Sequence, residues 1–233
     1  MRLDLLSALN AARDRREAAI LVTRLGDGSQ RLVQRAGLSA GDPLFEELER
    51  RFRSGSSGQV TDPSGEAHFL TVSVPAPRLV VIGAVHISQA LLPMAEIAGF
   101  DVTIIDPRTA FASEDRFPAR VLRADWPEDV LQAAPLDPYT AVAAVTHDPK
   151  IDDFPLMAAL NAGCFYVGAL GSRKTHARRV ERFQAAGLSE DQIGRIRAPI
   201  GLAIGAASPA EIAVAVLGEV IGALRLAVAR DRT

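Results

Sequence analysis

Leu3, Leu6, Leu9 and Ala12 recur at the spacing of one helical stripe, which predicts a short helix over residues 1–15. An apolar, β-branched run over 18–24 predicts a strand; Gly26, Asp27 and Gly28 supply turn chemistry, and 31–35 reads as a returning hairpin partner. Residues 43–53 have a helical pattern, Ser54-Gly55-Ser56-Ser57-Gly58 reads as a loop, and 69–74 alternates as a strand. Pro75 and Pro77 then bar continuation of either helix or ladder. They set the expected boundary between a small N-terminal α+β subdomain, residues 1–76, and a larger domain, residues 77–233.

Beyond this boundary the pattern becomes one of buried strands alternating with helices. Leu79-Val80-Val81-Ile82 is continuously apolar, as a strand covered on both faces must be. Further strands are predicted over 101–105, 119–122, 140–145 and 165–170, with helices over 88–98, 127–133, 152–162 and 172–186. Ser208 caps a last helix that has Pro209 at its first position and Glu211 in its first turn. Such βαβ alternation predicts an α/β fold: a doubly wound, mostly parallel, Rossmann-like sheet with right-handed crossovers.

The 233 residues, 48% of them apolar, suffice for one good core with a small appended subdomain. A net charge of −2 argues against the broad basic surface that nucleic acid needs. No apolar run reaches the length of a membrane span, and the charged first sixteen residues do not read as a signal peptide. A soluble, cytoplasmic protein is therefore expected, and the single cysteine, Cys164, suits a reducing compartment.

In a sheet of this kind the ligand site lies beyond the carboxyl ends of the strands, so the strand exits carry the candidates. At the first, Gly83-Ala84-Val85-His86, only the first glycine of a dinucleotide fingerprint survives; Val85 stands where backbone would approach a pyrophosphate. Asp106 follows Gly83 at roughly the offset of a ribose-binding carboxylate, with Arg108 beside it. The plain alternative makes Gly83 a tight turn and Asp106 a strand-end cap. At the second exit, His147 and Asp148 precede Asp152 and Asp153, a set suited to binding a metal, to shuttling protons or to plain helix capping. The third, from Gly168 through Gly171, Ser172, Arg173 and Lys174, is the strongest. A capped helix start leaves amide donors free beside two cations that oppose the helix dipole, which predicts an anion site. The fourth, Gly201 to Gly205, brackets a loop that allows close approach of a ligand. Cys164 reads as a buried structural thiol, and on balance no bound metal is expected.

Four segments together, Leu79-Val-Val-Ile-Gly-Ala-Val-His-Ile87, Thr146-His-Asp-Pro-Lys150, Tyr166-Val-Gly-Ala-Leu-Gly-Ser-Arg-Lys-Thr-His176 and Gly201-Leu-Ala-Ile-Gly-Ala206 with Pro209-Ala-Glu-Ile212, resemble the xanthine dehydrogenase accessory (XdhC/CoxI) family. The resemblance implies a Rossmann-like domain in a maturation factor for molybdenum hydroxylases of the xanthine, aldehyde or carbon monoxide dehydrogenase type. It implies a chaperone rather than a catalyst. The cargo would be molybdenum cofactor, as molybdopterin or its cytosine dinucleotide form, and the partners a cysteine desulfurase and the hydroxylase apoenzyme. A homodimer is one further arrangement. Residues 1–76 lack the Ser-Gly-Gly-Cys motif of many relatives, so a thiol-dependent step would fall to a separate chain of that N-terminal type. Val85 and Ala203 stand where relatives often carry Gly and Asp. Ordinary NAD(P) binding is therefore doubtful, and an NAD(P)-dependent oxidoreductase or nucleotide-sensing protein is the alternative reading.

Overall fold

The computed structural model describes residues 2–229, and the chain divides into two compact units at Pro75–Ala76, the second ending at Leu224. In the first unit, α1 (Leu3–Asp14) buries Leu9 and Ala12, and α2 (Phe45–Ser54) buries Leu48 and Phe52. Strands β1 (Ala19–Arg24), β2 (Gln30–Gln34), β3 (Gly58–Thr61) and β4 (Ala67–Ser73) form an antiparallel sheet in the order β2-β1-β4-β3. The segment expected as a plain loop thus ends in β3, a strand with Gln59 opposite Phe69 and Val60 opposite His68.

The second unit carries a six-stranded parallel sheet. Its strands are β5 (Arg78–Ile82), β6 (Asp101–Ile105), β7 (Leu122–Arg123), β8 (Thr140–Ala144), β9 (Tyr166–Ala169) and β10 (Ile196–Arg197). The order across the sheet is β10-β9-β8-β5-β6-β7, which, numbered within this sheet, is the 3-2-1-4-5-6 order of the doubly wound dinucleotide fold. The helices are α3 (His86–Ile97), α4 (Pro127–Ala133), α5 (Pro149–Asn161), α6 (Arg173–Ala185), the single turn α7 (Glu190–Ile193) and α8 (Pro209–Ala229).

Both faces of the sheet are covered, and the alternation along each strand shows it. Leu79, Val81, Ala141 and Ala143 pack in one core with Ile87, Leu91 and Ala95 of α3 and Val216 and Val220 of α8. Val80, Ile82, Val142 and Ala144 face the opposite core, with Leu156 and Leu160 of α5 and Phe183 of α6. This two-sided burial is why these strands read as unbroken apolar runs. It also fixes their carboxyl ends as a common rim. The strand order reverses between β5 and β8, so the crevice of the fold opens at Gly83–Val85 and Thr146–Asp148. Among the described residues, no helix is long and apolar enough to cross a membrane.

Candidate functional site

The first loop is held from within. Gly83 has φ +116°, and a Cβ there would lie 2.7 Å from Thr146 Cγ2, so only glycine lets β5 turn this close to the neighbouring exit. The Ala84 N–H donates to Asp106 Oδ2 at 2.8 Å, and its carbonyl accepts from Arg116. Val85 is the N-terminal flanking residue of α3 and packs against the core, whereas His86, the first helical residue, is exposed. Ser88 is buried within the first turn and donates its hydroxyl to the Gly83 carbonyl. The helix therefore begins two residues earlier than its apolar pattern indicates.

Asp106 is completely buried at the end of β6 and is already engaged. Arg108 reaches both of its oxygens, Nε to Oδ1 at 2.9 Å and Nη2 to Oδ2 at 2.8 Å. Burial pushes its pKa upward, but the hydrogen bonds from Arg108 and Ala84 outweigh this and hold it below the ordinary carboxylate range. The Arg108 guanidinium also stacks 4.4 Å from the centre of the Phe111 ring.

At the second exit, the N-cap of α5 is Asp148, whose Oδ1 accepts from the Lys150 N–H at 3.0 Å. Helix α5 begins at Pro149, so Asp152 and Asp153 do not cap it. Asp152 turns inward with no exposed surface; its Oδ1 accepts from the Thr146 hydroxyl at 2.6 Å, and its Oδ2 has no hydrogen-bond partner. Burial raises its pKa to about 6, against the opposing effects of Thr146 and Arg179. Asp153 instead accepts from Arg182, Nε at 2.5 Å and Nη2 at 3.0 Å. His147 is exposed and sits at φ +66°, a left-handed conformation that is uncommon outside glycine.

At the third exit, Gly168 lies inside β9. Its missing side chain admits Ile200 and the Tyr166 hydroxyl, so it serves packing. Gly171 (φ +142°) turns the chain, and Ser172 caps α6 by accepting from the Thr175 N–H at 3.2 Å. Arg173 and Lys174 are exposed in the first turn. At the fourth, the Gly201 N–H donates to Glu219 Oε2 at 2.8 Å, the oxygen that also accepts from the Tyr166 hydroxyl at 2.6 Å. Burial and the Glu219 charge keep Tyr166 protonated, and Gly205 stays exposed at the far side of the loop.

A cavity of about 380 Å³ brings the second and third exits together, lined by His147 and Pro149 from one side and by Lys174, Thr175, Arg178, Arg179 and Arg182 of α6 from the other. Of the residues singled out in the sequence, it gathers His147 and Lys174. Arg173, Gly201 and Gly205 do not line it. Sequence reasoning missed Asp152 as an inward carboxylate, and Arg178, Arg179 and Arg182 altogether. The signal was present: Lys174, Arg178 and Arg182 are spaced i, i+4, i+8, and Thr175 and Arg179 i, i+4, so both rows face one way. A larger cavity, about 940 Å³, lies in the first unit, but the charged groups Asp42, Glu47 and Asp62 that line it are already bonded within their own neighbourhood. Among the described residues, no His, Cys, Asp and Glu side chains group as a metal site would require.

The fold and its rim define a class: an open, doubly wound parallel α/β domain with a crevice at its topological switch point, beside a cation-rich pocket at the start of two helices. Residues 79–220 match the model of the XdhC Rossmann domain, and the chain belongs to the XdhC family. It is 30% identical over 175 residues to YqeB of Escherichia coli K12, covering 74% of this chain and 32% of that protein. It is 32% identical to a probable xanthine dehydrogenase subunit of Bacillus subtilis 168, over 63% of this chain and 43% of the relative. Identity to PaoD of Escherichia coli K12, a molybdenum cofactor insertion chaperone, is 33% over 63% of this chain and 40% of PaoD. The chain thus spans less than half the length of each of these relatives. A crystal structure of a xanthine dehydrogenase from Bacillus halodurans shares the fold, with a TM-score of 0.60 at 23% identity over 96% of this chain and 64% of that one.

Proposed function

We propose that this protein is a maturation factor for a molybdenum hydroxylase, binding molybdenum cofactor as cargo and passing it to the apoenzyme. The observation that carries the reading is that the XdhC Rossmann match, residues 79–220, contains the whole switch-point crevice and the α5–α6 pocket. The names of PaoD and the Bacillus subtilis relative support it. The cargo's pterin end would enter between the Gly83 and Thr146 exits, and an anionic group would meet the start of α6, at the Gly171 and Ser172 amides beside Arg173 or Lys174.

Cargo sulfuration would depend on a cysteine desulfurase. The only cysteine of this chain, Cys164, is buried, and burial pushes its thiol up to about 12, so it is not a thiolate able to carry sulfur. The cytoplasm is the compartment in which these partners would meet. A bound nicotinamide dinucleotide is the second reading, favoured by the strand order. Against it, Asp106 is already occupied by Arg108 and the Ala84 amide, and Val85 fills the place of the second glycine.

The test is co-expression with a molybdenum hydroxylase. Pterin should be released from the gently purified chain and identified by mass spectrometry, and hydroxylase activity should fall when the chain is omitted. Full hydroxylase activity without the chain, together with no pterin on it, overturns the reading.

A further inference from the structure

We propose that the cavity between the starts of α5 and α6 is an oxyanion site that takes the phosphate group of a phosphate ester or a pyrophosphate, with Arg179 as its buried anchor and Lys174 and Arg178 at its rim.

The argument starts from Arg179. Its side chain is 2% exposed, yet Nε and Nη1 have no hydrogen-bond partner, and Nη2 reaches only the Leu170 carbonyl at 3.4 Å. A guanidinium presents five donors and cannot shed its charge at neutral pH, so burying one with two nitrogens unspent is costly unless an anion meets it. The neighbouring carboxylates meet that charge only in part, Asp152 and Asp153 both attracting it without a hydrogen bond. Asp153 Oδ1 lies 4.0 Å from Arg179 Nε, and Asp153 is held by both nitrogens of Arg182. Asp152 is tied through Oδ1 to Thr146. Arg179 lines the cavity, and so do Lys174 and Arg178, both exposed and neither in an ion pair among the described residues, although Glu181 stands three residues after Arg178.

The pocket is therefore lined by four cations and no carboxylate; Asp152 and Asp153 stand nearby, and Asp153 is spent on Arg182. Three of these cations stand within the first two turns of α6, the end whose dipole is itself positive. An arrangement that is self-repelling when empty becomes complementary when a dianion enters, and the planar fork of Arg179 matches a phosphate with two parallel N–H···O bonds. The volume, about 380 Å³, falls within the range of small-molecule sites and exceeds what the phosphate alone would fill. The site shares Lys174 with the one at the Gly171 and Ser172 amides but differs in its anchor, a side chain two turns into the helix, and Arg173 takes no part.

The choice of phosphate over another oxyanion rests on the cofactor-carrier reading, whereas the presence of an anion site rests on Arg179 and its neighbours alone. The test uses the full chain and isothermal titration calorimetry with inorganic pyrophosphate. Saturable binding is expected. The Lys174→Ala/Arg178→Ala double variant should weaken it by about tenfold or more, as the loss of charge-assisted hydrogen bonds implies, with an unchanged urea midpoint. Arg179→Lys should weaken it as well; if that variant fails to fold, the exposed double variant decides alone. No saturable binding to the wild type, or equal affinity in the double variant, overturns the site. Citrate binding as tightly as pyrophosphate overturns the choice of phosphate. None of these outcomes bears on whether pterin copurifies with the chain, so the site and the carrier function fail or stand separately.

Discussion

Replacing Asp152 with asparagine should stabilise the protein at alkaline pH and do progressively less as the pH falls. The carboxylate has no exposed surface, one oxygen without a partner, and a pKa raised from 3.8 to about 6. Between about pH 4 and pH 6 the folded chain holds a proton that the unfolded chain has released, so stability drops across that window and levels off above it. The shift of about two pH units corresponds to roughly 3 kcal/mol by pH 8. Asparagine keeps the oxygen that accepts from Thr146 and removes the charge, but brings amide donors of its own to satisfy. A net gain of about 2 kcal/mol at pH 8 is therefore expected, or about 4–8 °C in Tm for a unit of this size. At pH 5, one unit below the folded pKa, the wild type recovers about 1 kcal/mol and the gap closes by that amount. Urea unfolding followed by the fluorescence of Trp126, the sole tryptophan, reports on the second unit and measures the gap at both pH values. Groups common to both chains cancel in the difference. A gap of the same size at pH 5 and pH 8, or a variant less stable than wild type at pH 8, would refute the reasoning.

Three further outcomes follow from the same geometry. Arg108→Ala leaves the Asp106 carboxylate buried without its cation and should cost about 3 kcal/mol in urea denaturation, with Asp106→Asn on the same background recovering part of the loss. Gly83→Ala must place a Cβ 2.7 Å from Thr146 Cγ2 at φ +116° and should lower stability by roughly 2 kcal/mol or more; a thermal midpoint equal to wild type would contradict the close approach. Cys164, fully buried with its thiol pushed up to about 12, should resist Ellman's reagent in the native protein and react fully in denaturant, and rapid native labelling would show the burial to be wrong.

Much of the architecture was legible in the sequence because two-sided burial leaves an unmistakable trace. Leu79 to Ile82 and Thr140 to Ala144 are apolar at every position but the first of the latter, and each is a central strand. What escaped notice was short or held from a distance. Strand β10 has two residues, and its existence depends on pairing Ile196 with Val167 and Arg197 with Gly168, partners that no local period reveals. Strand β3 follows a Ser/Gly run that masks a four-residue alternation. The candidate site was legible by address rather than by inventory. The exits of β8 and β9 were readable as places to look, and His147 and Lys174 do meet in one cavity. The roles of Asp152 and Arg179 were not, because a carboxylate in a helix's first turn and an arginine in an Arg-rich helix both look like solvated charges. Only the packing of α5 against α6 turns them inward.

The strand that flanks the crevice, β8, offers Ala141, Ala143 and Ala144 to the two helical layers, all with zero exposure. Side chains this small leave almost nothing to trim, and neighbours packed on both sides leave no room to add. The position of the Thr146–Asp148 rim is therefore set by the thickness of the layers above and below it, together with the hydrogen bonds that tie Thr146 to Asp152 and Asp148 to the start of α5. Bulk added to β8 would first be felt as a displaced rim rather than as an unfolded chain. In a mutational scan, these alanines should behave as silent determinants of the rim's geometry, sensitive to substitution although they lie behind it.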